Sequence, residues 1–318
     1  MIKVSVVIPN YNGSKFIKPC LNNLKEQSFT DFEVIMVDNG STDGSPDMVR
    51  EICPDAVIIG LDKNYGFSKA VNEGIRAARA PFVFLLNNDT EVDRDCIKQL
   101  YLRITSDEKI FSVSSRMLKM SDPDIIDSAG DLYCCLGWAF ARGKDKKKEK
   151  YDSPAEVFSA CAGAALYRKS VFNVIGYFDE KHFAYLEDVD IGYRAKICGY
   201  RNVYEPKALV LHAGSGMSGS RYNEFKVVLS AGNSLYVPYK NMPFLQLLIN
   251  LPFLMIGILI KAGFFIRKGL GKAYFKGLAR GIKLCFKGKK FAYNSRYIMN
   301  YIRIQGLLYI NTVKRFKD

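Results

Sequence analysis

The stretch Phe82-Val83-Phe84-Leu85-Leu86-Asn87-Asn88-Asp89-Thr90 decides how the rest of the chain is read. Five consecutive apolar residues are the pattern of a strand buried on both faces, as in a parallel sheet flanked by helices. The run then stops at three polar residues. In an open α/β fold a polar cluster at the carboxyl end of a central strand lies on the rim where ligands bind. Asn87 and Asp89 are two apart, so in extended chain their side chains point the same way. Their oxygens suit a hard cation, Mg²⁺ or Mn²⁺, which would bridge phosphate oxygens. Asn-Asn-Asp on its own is equally a plain polar turn.

Upstream, three strand–helix units lead into this strand. Residues 4–8 read as a strand ending in Pro9-Asn10-Tyr11-Asn12-Gly13-Ser14, with Ser14 as cap of a helix to about 27. Residues 32–37 read as a second strand, followed by Asp38-Asn39-Gly40-Ser41-Thr42-Asp43-Gly44-Ser45 and a helix to about 52. A short strand at 56–60 precedes Asn64-Tyr65-Gly66-Phe67-Ser68 and a helix to 79. This βαβαβαβ order predicts a right-handed, mostly parallel sheet with Asp38, Asp43, Asn64 and Asp89 on one rim. Asp38 and Asp43 suit ligand binding and turn chemistry alike. The glycines at 13, 40, 44 and 66 permit close approach of backbone to a ligand. Neither G-x-G-x-x-G nor a P-loop occurs, which argues against those two phosphate-binding devices.

The chain of 318 residues carries a net charge of +14. Residues 261–318 hold fifteen Lys or Arg and one acid, Asp318, so that segment carries the whole excess and the first 260 residues are balanced. A neutral body with a basic tail calls for an anionic partner. Eight scattered Cys without a CxxC pair read as reduced thiols of a cytosolic protein, and two His distant from any paired Cys argue against a zinc site. The start of the chain reads as a strand, not a signal peptide.

Four motifs in this order resemble the family 2 glycosyltransferases of GT-A fold, and their rhamnosyltransferase-like branch most. They are Val-Ser-Val-Val-Ile-Pro-Asn-Tyr-Asn, Val-Asp-Asn-Gly-Ser-Thr-Asp-Gly-Ser, Asn-Tyr-Gly-Phe and Leu-Leu-Asn-Asn-Asp. The resemblance covers roughly residues 3–240. It implies a nucleotide-sugar donor, with Pro9, Tyr11, Asp38 and Asn64 around the nucleoside, joined on the same rim by Gly66, Asn87 and Asn88. It also implies a divalent cation, Mg²⁺ or Mn²⁺, held by Asp89. Asn87 stands where the metal motif commonly has Asp, which leaves less negative charge on the cation and more of the ligation to the diphosphate.

Further on, a helix is expected at 94–105 and a strand at 110–117. Residues 121–154 read as irregular, with the mostly Lys run 144–150 as a solvated loop. Trp138, with Tyr133, suits either stacking on an acceptor sugar or buried packing. Residues 158–167 are small and apolar, and a helix begins near Lys169. His182-Phe183-Ala184-Tyr185-Leu186-Glu187-Asp188-Val189-Asp190 brings three acids into the first turn of a helix. Acids sit there for dipole reasons alone. The same dipole keeps a carboxylate ionised, as a general base must be. The resemblance makes Asp188 that base, taking the proton of an acceptor hydroxyl as it attacks the anomeric carbon, with inversion by single displacement. Glu187 and Asp190 are placed as acceptor-side or supporting groups. His212 follows a strand at 208–211, and the matching His of the family ligates the metal. By analogy residues 214–219 would fold over the donor, while Arg221 and Asn233 are expected near phosphate or acceptor.

Residues 241–260 contain no charge, which is about the length that spans a bilayer. Gln246, Asn250 and Pro252 interrupt them, and a single span would put the basic tail on the outer side, against the positive-inside tendency. The segment is therefore expected to lie in the cytoplasmic leaflet, with basic helices at about 270–287 and 293–316 and their aromatic residues on anionic headgroups. The expected division is a GT-A catalytic domain at 1–240 and a helical membrane-associated region at 241–318, peripheral or monotopic on the cytoplasmic face of the plasma membrane. The expected activity is transfer of a sugar from dTDP-rhamnose or a UDP-sugar to a hydroxyl of a growing, lipid-linked cell-surface glycan; nucleic acid is not an expected partner. The alternative is a basic membrane or nucleic-acid binding protein with a catalytically silent sheet. A sugar nucleotidyltransferase lacks its Gly-rich Lys/Arg phosphate loop here.

Overall fold

The computed structural model describes residues 1–214 and 222–317. In chain order the elements are β1 (Val4–Asn10), α1 (Ser14–Lys25), β2 (Phe32–Asp38), α2 (Ser45–Ile52), β3 (Val57–Gly60), α3 (Phe67–Ala77), β4 (Phe82–Leu86), β5 (Thr90–Val92), α4 (Cys96–Thr105), β6 (Ile110–Lys119), β7 (Asp122–Ser128) and β8 (Asp131–Tyr133). They continue with β9 (Ala139–Ala141), β10 (Ala155–Val157), β11 (Ala164–Arg168), α5 (Phe172–Ile175), α6 (Glu187–Ile197), β12 (Arg201–His212), α7 (Glu224–Asn241), α8 (Phe244–Arg267), α9 (Gly271–Lys287) and α10 (Ile298–Lys317).

The main sheet runs β10-β12-β6-β11-β4-β1-β2-β3, and its first half is the expected parallel unit: β1 pairs in parallel with both β2 and β4, and β2 with β3. All five residues of β4 are buried, because both faces are covered. Val6, Ile8, Phe84 and Leu86 join a core with Ile17, Leu21, Val49 and Leu100. Their neighbours Val7, Val83 and Leu85 join the opposite core with Val71, Ile75, Phe172 and Ile191. The alternation follows from the two-residue period of a strand.

Beyond residue 86 the sheet becomes mixed, with β12 parallel to β6. β11 runs antiparallel to both β4 and β6, and β5 and β10 are antiparallel to β12. Residues 121–154, expected to be irregular, contain three strands: β7 pairs with β6, and β8 with β9 in a separate hairpin. The Lys run is not simply solvated either, since Lys144 pairs with Asp127 and Lys148 with Asp124. Those cations neutralise the acids of β7, a relationship no local pattern displays.

Ser14 opens α1 as its first residue instead of capping it. The cap comes from the next loop: Asp43 Oδ2 accepts the Ser14 N–H at 2.8 Å while Oδ1 accepts from Ser45. Although burial opposes ionisation, these donors outweigh it and hold the Asp43 carboxyl down at about 2. One carboxylate thereby ties the first two rim loops together.

The C-terminal helices share a core with the preceding residues instead of hanging from them. Tyr301, Ile304 and Leu308 of α10 are buried with Tyr133, Phe158, Val189 and Tyr193. Tyr274 of α9 packs with Val227 and Ala231 of α7. Tyr274 and Tyr301, expected at a membrane interface, are therefore core residues. Among the described residues α8 is the one helix long and apolar enough to cross a bilayer, with mean hydropathy 2.0. Its polar residues face inward: Gln246 and Asn250 are buried and hydrogen-bond Gln305 of α10 at 3.0 and 2.7 Å. Its large apolar residues, such as Phe244, Leu248, Ile256 and Leu259, face outward. That inversion of the soluble pattern leaves an exposed apolar face beside basic helices.

Candidate active site

A cleft of about 620 Å³ opens along the carboxyl ends of β1, β2 and β4. Pro9, Tyr11, Asn64, Gly66, Asn87, Asn88, Asp89, Glu187, Asp188 and His212 all line it, so most of the residues expected from the sequence meet there. Asp38 does not. Its carboxylate lies beneath the rim, accepting from Asn10 Nδ2 at 3.2 Å and from the Ser41 N–H at 3.1 Å. Asn39, beside it, lines the cleft instead and joins the second and third loops by donating to Asn64 Oδ1.

Register places His212 beside Asp89. His212 pairs with Thr90 across β12 and β5, and the Ala213 N–H donates to the Asp89 carbonyl. Nε2 then lies 3.4 Å from Asp89 Oδ1, while Nδ1 lies 2.8 Å from Asp127 Oδ2. Burial works against a charged imidazole, but the two carboxylates outweigh it and push His212 up to about 9. Asp127 was not expected from the sequence; it becomes part of the site only because β7 folds back on β6. A carboxylate on Nδ1 with Nε2 aimed at a second carboxylate is the arrangement that orients a metal-ligating His. Asp89 and His212 thus fit a divalent cation as an oxygen and a nitrogen ligand, with room on the cleft side for phosphate oxygens.

The second centre lies at the start of α6. Asp188 accepts the Val189 N–H at 2.8 Å. Its carboxyl, that of Asp131 and the Cys161 thiol all lie within 4.8 Å of one another. The helix start was expected to favour the ionised form of Asp188. Instead burial outweighs the N–H donors and raises its pKa. Burial, together with the charge and hydrogen bond of Asp188, raises Asp131 well above the carboxylate range. The two neighbouring carboxyls therefore hold a proton between them. Burial also keeps the Cys161 thiol protonated, which makes this trio a poor seat for a hard cation. Glu187 is buried and driven toward its neutral form by burial and by Asp188, and its Oε2 has no partner among the described residues. Asp131 carried no sequence signal. It comes next to Asp188 through its backbone pairing with Ser159, whose carbonyl accepts the Asp131 N–H at 2.9 Å.

Two expected supporting residues lie elsewhere. Asp190 points into the protein, where Arg194, Lys240 and Asn241 all bind its carboxylate, and these partners hold it ionised despite burial. It is a structural anchor between α6 and α7, although the preceding residue, Val189, lines the cleft. Trp138 lies outside the cleft against α8, donating from Nε1 to the Gly257 carbonyl at 3.2 Å. A Cβ on Gly257 would collide with the Leu136 carbonyl, so glycine is what lets α8 come this close. Asn233 does not itself line the cleft. Its Nδ2 donates to the carbonyls of His182, Ala184 and Tyr185, and Arg280 of α9 holds its Oδ1 at 2.8 Å. The braced loop contains Phe183, Tyr185 and Leu186 at φ of 66°, 70° and 64°, a strained path that tertiary contacts must hold. Gly66, at φ 89°, faces the Phe183 carbonyl, where any side chain would collide. Residues 215–219 of the expected closing segment, and Arg221, lie outside the described residues.

A sequence profile described as glycosyl transferase family 2 matches residues 5–176. An N-acetylglucosaminyl-diphospho-decaprenol L-rhamnosyltransferase of Mycobacterium tuberculosis is 27% identical over 239 residues, covering 67% of this chain and 77% of that enzyme. A poly-beta-1,6-N-acetyl-D-glucosamine synthase of Staphylococcus aureus is 24% identical over 208 residues. That match covers 65% of this chain, which spans about half the length of the synthase, 48%. Among solved structures, the mannosyltransferase PcManGT of Pyrobaculum calidifontis with GDP-Man and Mn²⁺ superposes with a TM-score of 0.57 at 17% identity, covering 96% of this chain and 84% of that one. GalNAc-T7 with UDP, GalNAc and Mn²⁺ gives 0.61 at 15% identity over 76% of this chain and 48% of its own. At these identities the structural likeness establishes the fold, which is GT-A.

Proposed function

This chain belongs to glycosyl transferase family 2, and we propose that it moves a sugar, with inversion, from a nucleotide-diphospho-sugar to a hydroxyl of a lipid-linked cell-surface glycan. The observation that carries this reading is that Asp89 with His212, and Asp188 with Asp131, open onto one cleft. The donor class is supported by the nucleotides bound to the two structural neighbours. The acceptor class and a rhamnosyl donor are supported by the name of the mycobacterial relative.

The rim loops at Pro9–Tyr11, Asn39 and Asn64–Gly66 receive the nucleoside, since they line the cleft where β1, β2 and β3 end. Asp89 and His212 would hold Mg²⁺ or Mn²⁺, which supplies charge neutralisation for the donor diphosphate. Asp127 fixes the His212 ring through Nδ1. On the other side, Asp188 takes the proton of the acceptor hydroxyl. The hydroxyl oxygen bonds to the anomeric carbon, the carbon–oxygen bond to the diphosphate breaks, and the nucleoside diphosphate leaves with the bonding pair. Asp131, by sharing a proton with Asp188, keeps that carboxylate oriented and available. A raised pKa suits this role, because a stronger base takes a weakly acidic proton more readily.

The exposed apolar face of α8 beside the basic α9 and α10 supports residues 241–318 as the membrane-associated region, resting on anionic lipid at the cytoplasmic face. The proposed division remains one of role, with 1–240 catalytic, although the two parts share a core. The deciding test is a thermal-shift and turnover screen of nucleotide sugars with Mg²⁺ or Mn²⁺. Metal-dependent stabilisation by UDP- or dTDP-sugars is expected. A protein unmoved by every nucleotide sugar would be a binding protein on a silent sheet.

A further inference from the structure

A second cavity of about 380 Å³ lies outside the cleft, between the turn at 136–138 and helices α7, α8 and α9. Its walls are apolar, including Leu235, Leu251, Leu254 and Ile258, with Lys261 as its cation. Leu251 and Met255 belong both to this wall and to the exposed apolar face of α8, so the cavity is continuous with the surface proposed to meet lipid.

The cavity and the catalytic cleft share one partition. Leu136, Gly137 and Trp138 line the cavity, and the next three residues, Ala139, Phe140 and Ala141, line the cleft. On α7 the same succession occurs: Ser230 faces the cleft, and Ser234 and Leu235 face the cavity one turn later. Two cations ride on this partition. Lys261 Nζ lies 5.6 Å from the Trp138 ring centre, and the Arg315 guanidinium lies 5.6 Å from that of Phe140. Neither has a carboxylate partner among the described residues, as for every base of residues 261–317 except Lys276. Burial above all, and the charge of Arg315 in addition, work against the protonated form of Lys261. Lys261 in the wall of an apolar cavity, with the exposed Arg315 across the partition beside Phe140, makes a place that an anion with an apolar tail would complete.

We propose that Lys261 and Arg315 seat the diphosphate of a polyprenyl-linked acceptor, whose isoprenoid chain occupies the cavity under α8 and whose sugar enters the cleft toward Asp188. This rests on the glycosyltransferase reading of the cleft. Two cations match a diphosphate better than the single phosphate of a bulk phospholipid headgroup. The partition also explains why the seat lies where it does. A ligand anchored across it would present its first sugar on the Ala139–Ala141 side, next to Asp131 and Asp188.

The chain contains one tryptophan, Trp138, so its fluorescence reports directly on the seat. The full chain in non-ionic detergent is titrated with farnesyl diphosphate, with farnesol, inorganic diphosphate and phosphatidylglycerol as separate arms. A saturable change with farnesyl diphosphate alone is expected, and Lys261→Gln and Arg315→Gln should each weaken it at least tenfold. Lys261→Arg and Arg315→Lys should largely restore it. An equal response to farnesol or phosphatidylglycerol would show a generic amphiphile surface and overturn the proposal, as would unchanged affinity in both glutamine variants. Stabilisation by nucleotide with Mn²⁺ is measured on the same samples. If that is present and the farnesyl diphosphate response is absent, the acceptor seat alone is wrong. If both are absent, the reading of the cleft fails as well.

Discussion

The carboxyl groups of Asp131, at the start of β8, and Asp188, the second residue of α6, lie within 4.8 Å of one another, both buried and both raised in pKa. Two acids this close cannot both ionise cheaply, so the pair holds one proton between them. The group left ionised faces the cleft with its basicity raised by burial.

Asp188→Asn keeps the shape and removes the base. Transfer should fall by about 10²-fold or more, with nucleotide and metal binding nearly intact. Near-native transfer by Asp188→Asn, with Glu187→Gln inactive, would move the role to Glu187.

Asp131→Ala removes the hydrogen bond that favours the ionised form of Asp188. The Asp188 pKa should then rise further, and the acid limb of the pH–rate profile should move to higher pH. A profile lowered in height but unmoved along the pH axis would assign Asp131 a packing role only.

Glu187 has a folded-state pKa raised well above its ordinary value, chiefly by burial. Between its unfolded pKa, about 4.3, and the higher folded value, the folded protein binds more protons, so stability falls as pH rises through that window. Glu187→Gln removes this loss. Thermal denaturation should show the variant gaining on the parent at pH 8 relative to pH 4.5. An equal difference at both pH values would contradict the assignment.

Asp89→Ala should abolish metal-dependent nucleotide binding, and Asp127→Asn should weaken metal affinity by about 10–100-fold by releasing the His212 ring. Calorimetric titration of Mn²⁺ with nucleoside diphosphate measures both. Unchanged affinity in Asp89→Ala would place the cation elsewhere.

Leu248 and Leu259 are exposed on α8, so Leu248→Glu and Leu259→Glu should leave the melting temperature within a few degrees while reducing binding to anionic vesicles. Removal of residues 241–318 is a poorer test, because it strips Tyr301, Ile304 and Leu308 from a shared core. Vesicle binding equal to the parent's in the glutamate variants would argue against α8 as the lipid-facing element.

The sequence by itself determined the parallel half of the sheet and the rim of loops at its carboxyl edge, and it singled out Asp89, Asp188 and His212, which all line one cleft. Those features are local: a buried strand needs a run of apolar residues, and a polar break must follow it at the ligand-binding edge. Glu187 and Asp188 also stood out locally, but their neighbour Asp190, equally acidic and one turn of chain away, faces the interior. Its partners, Lys240 and Asn241, arrive from α7, and no spacing within α6 reveals them. Tertiary structure alone decided that Asp131 and Asp127 join the site, because both depend on antiparallel pairings made across the fold. It also decided that Asn233 braces the strained loop at 183–186 and that Trp138 stands behind the cleft. In each case the deciding contact joins residues far apart in the chain. Their chemistry is set by which backbone strands pair and what those pairings bury, and periodicity in sequence carries no record of either.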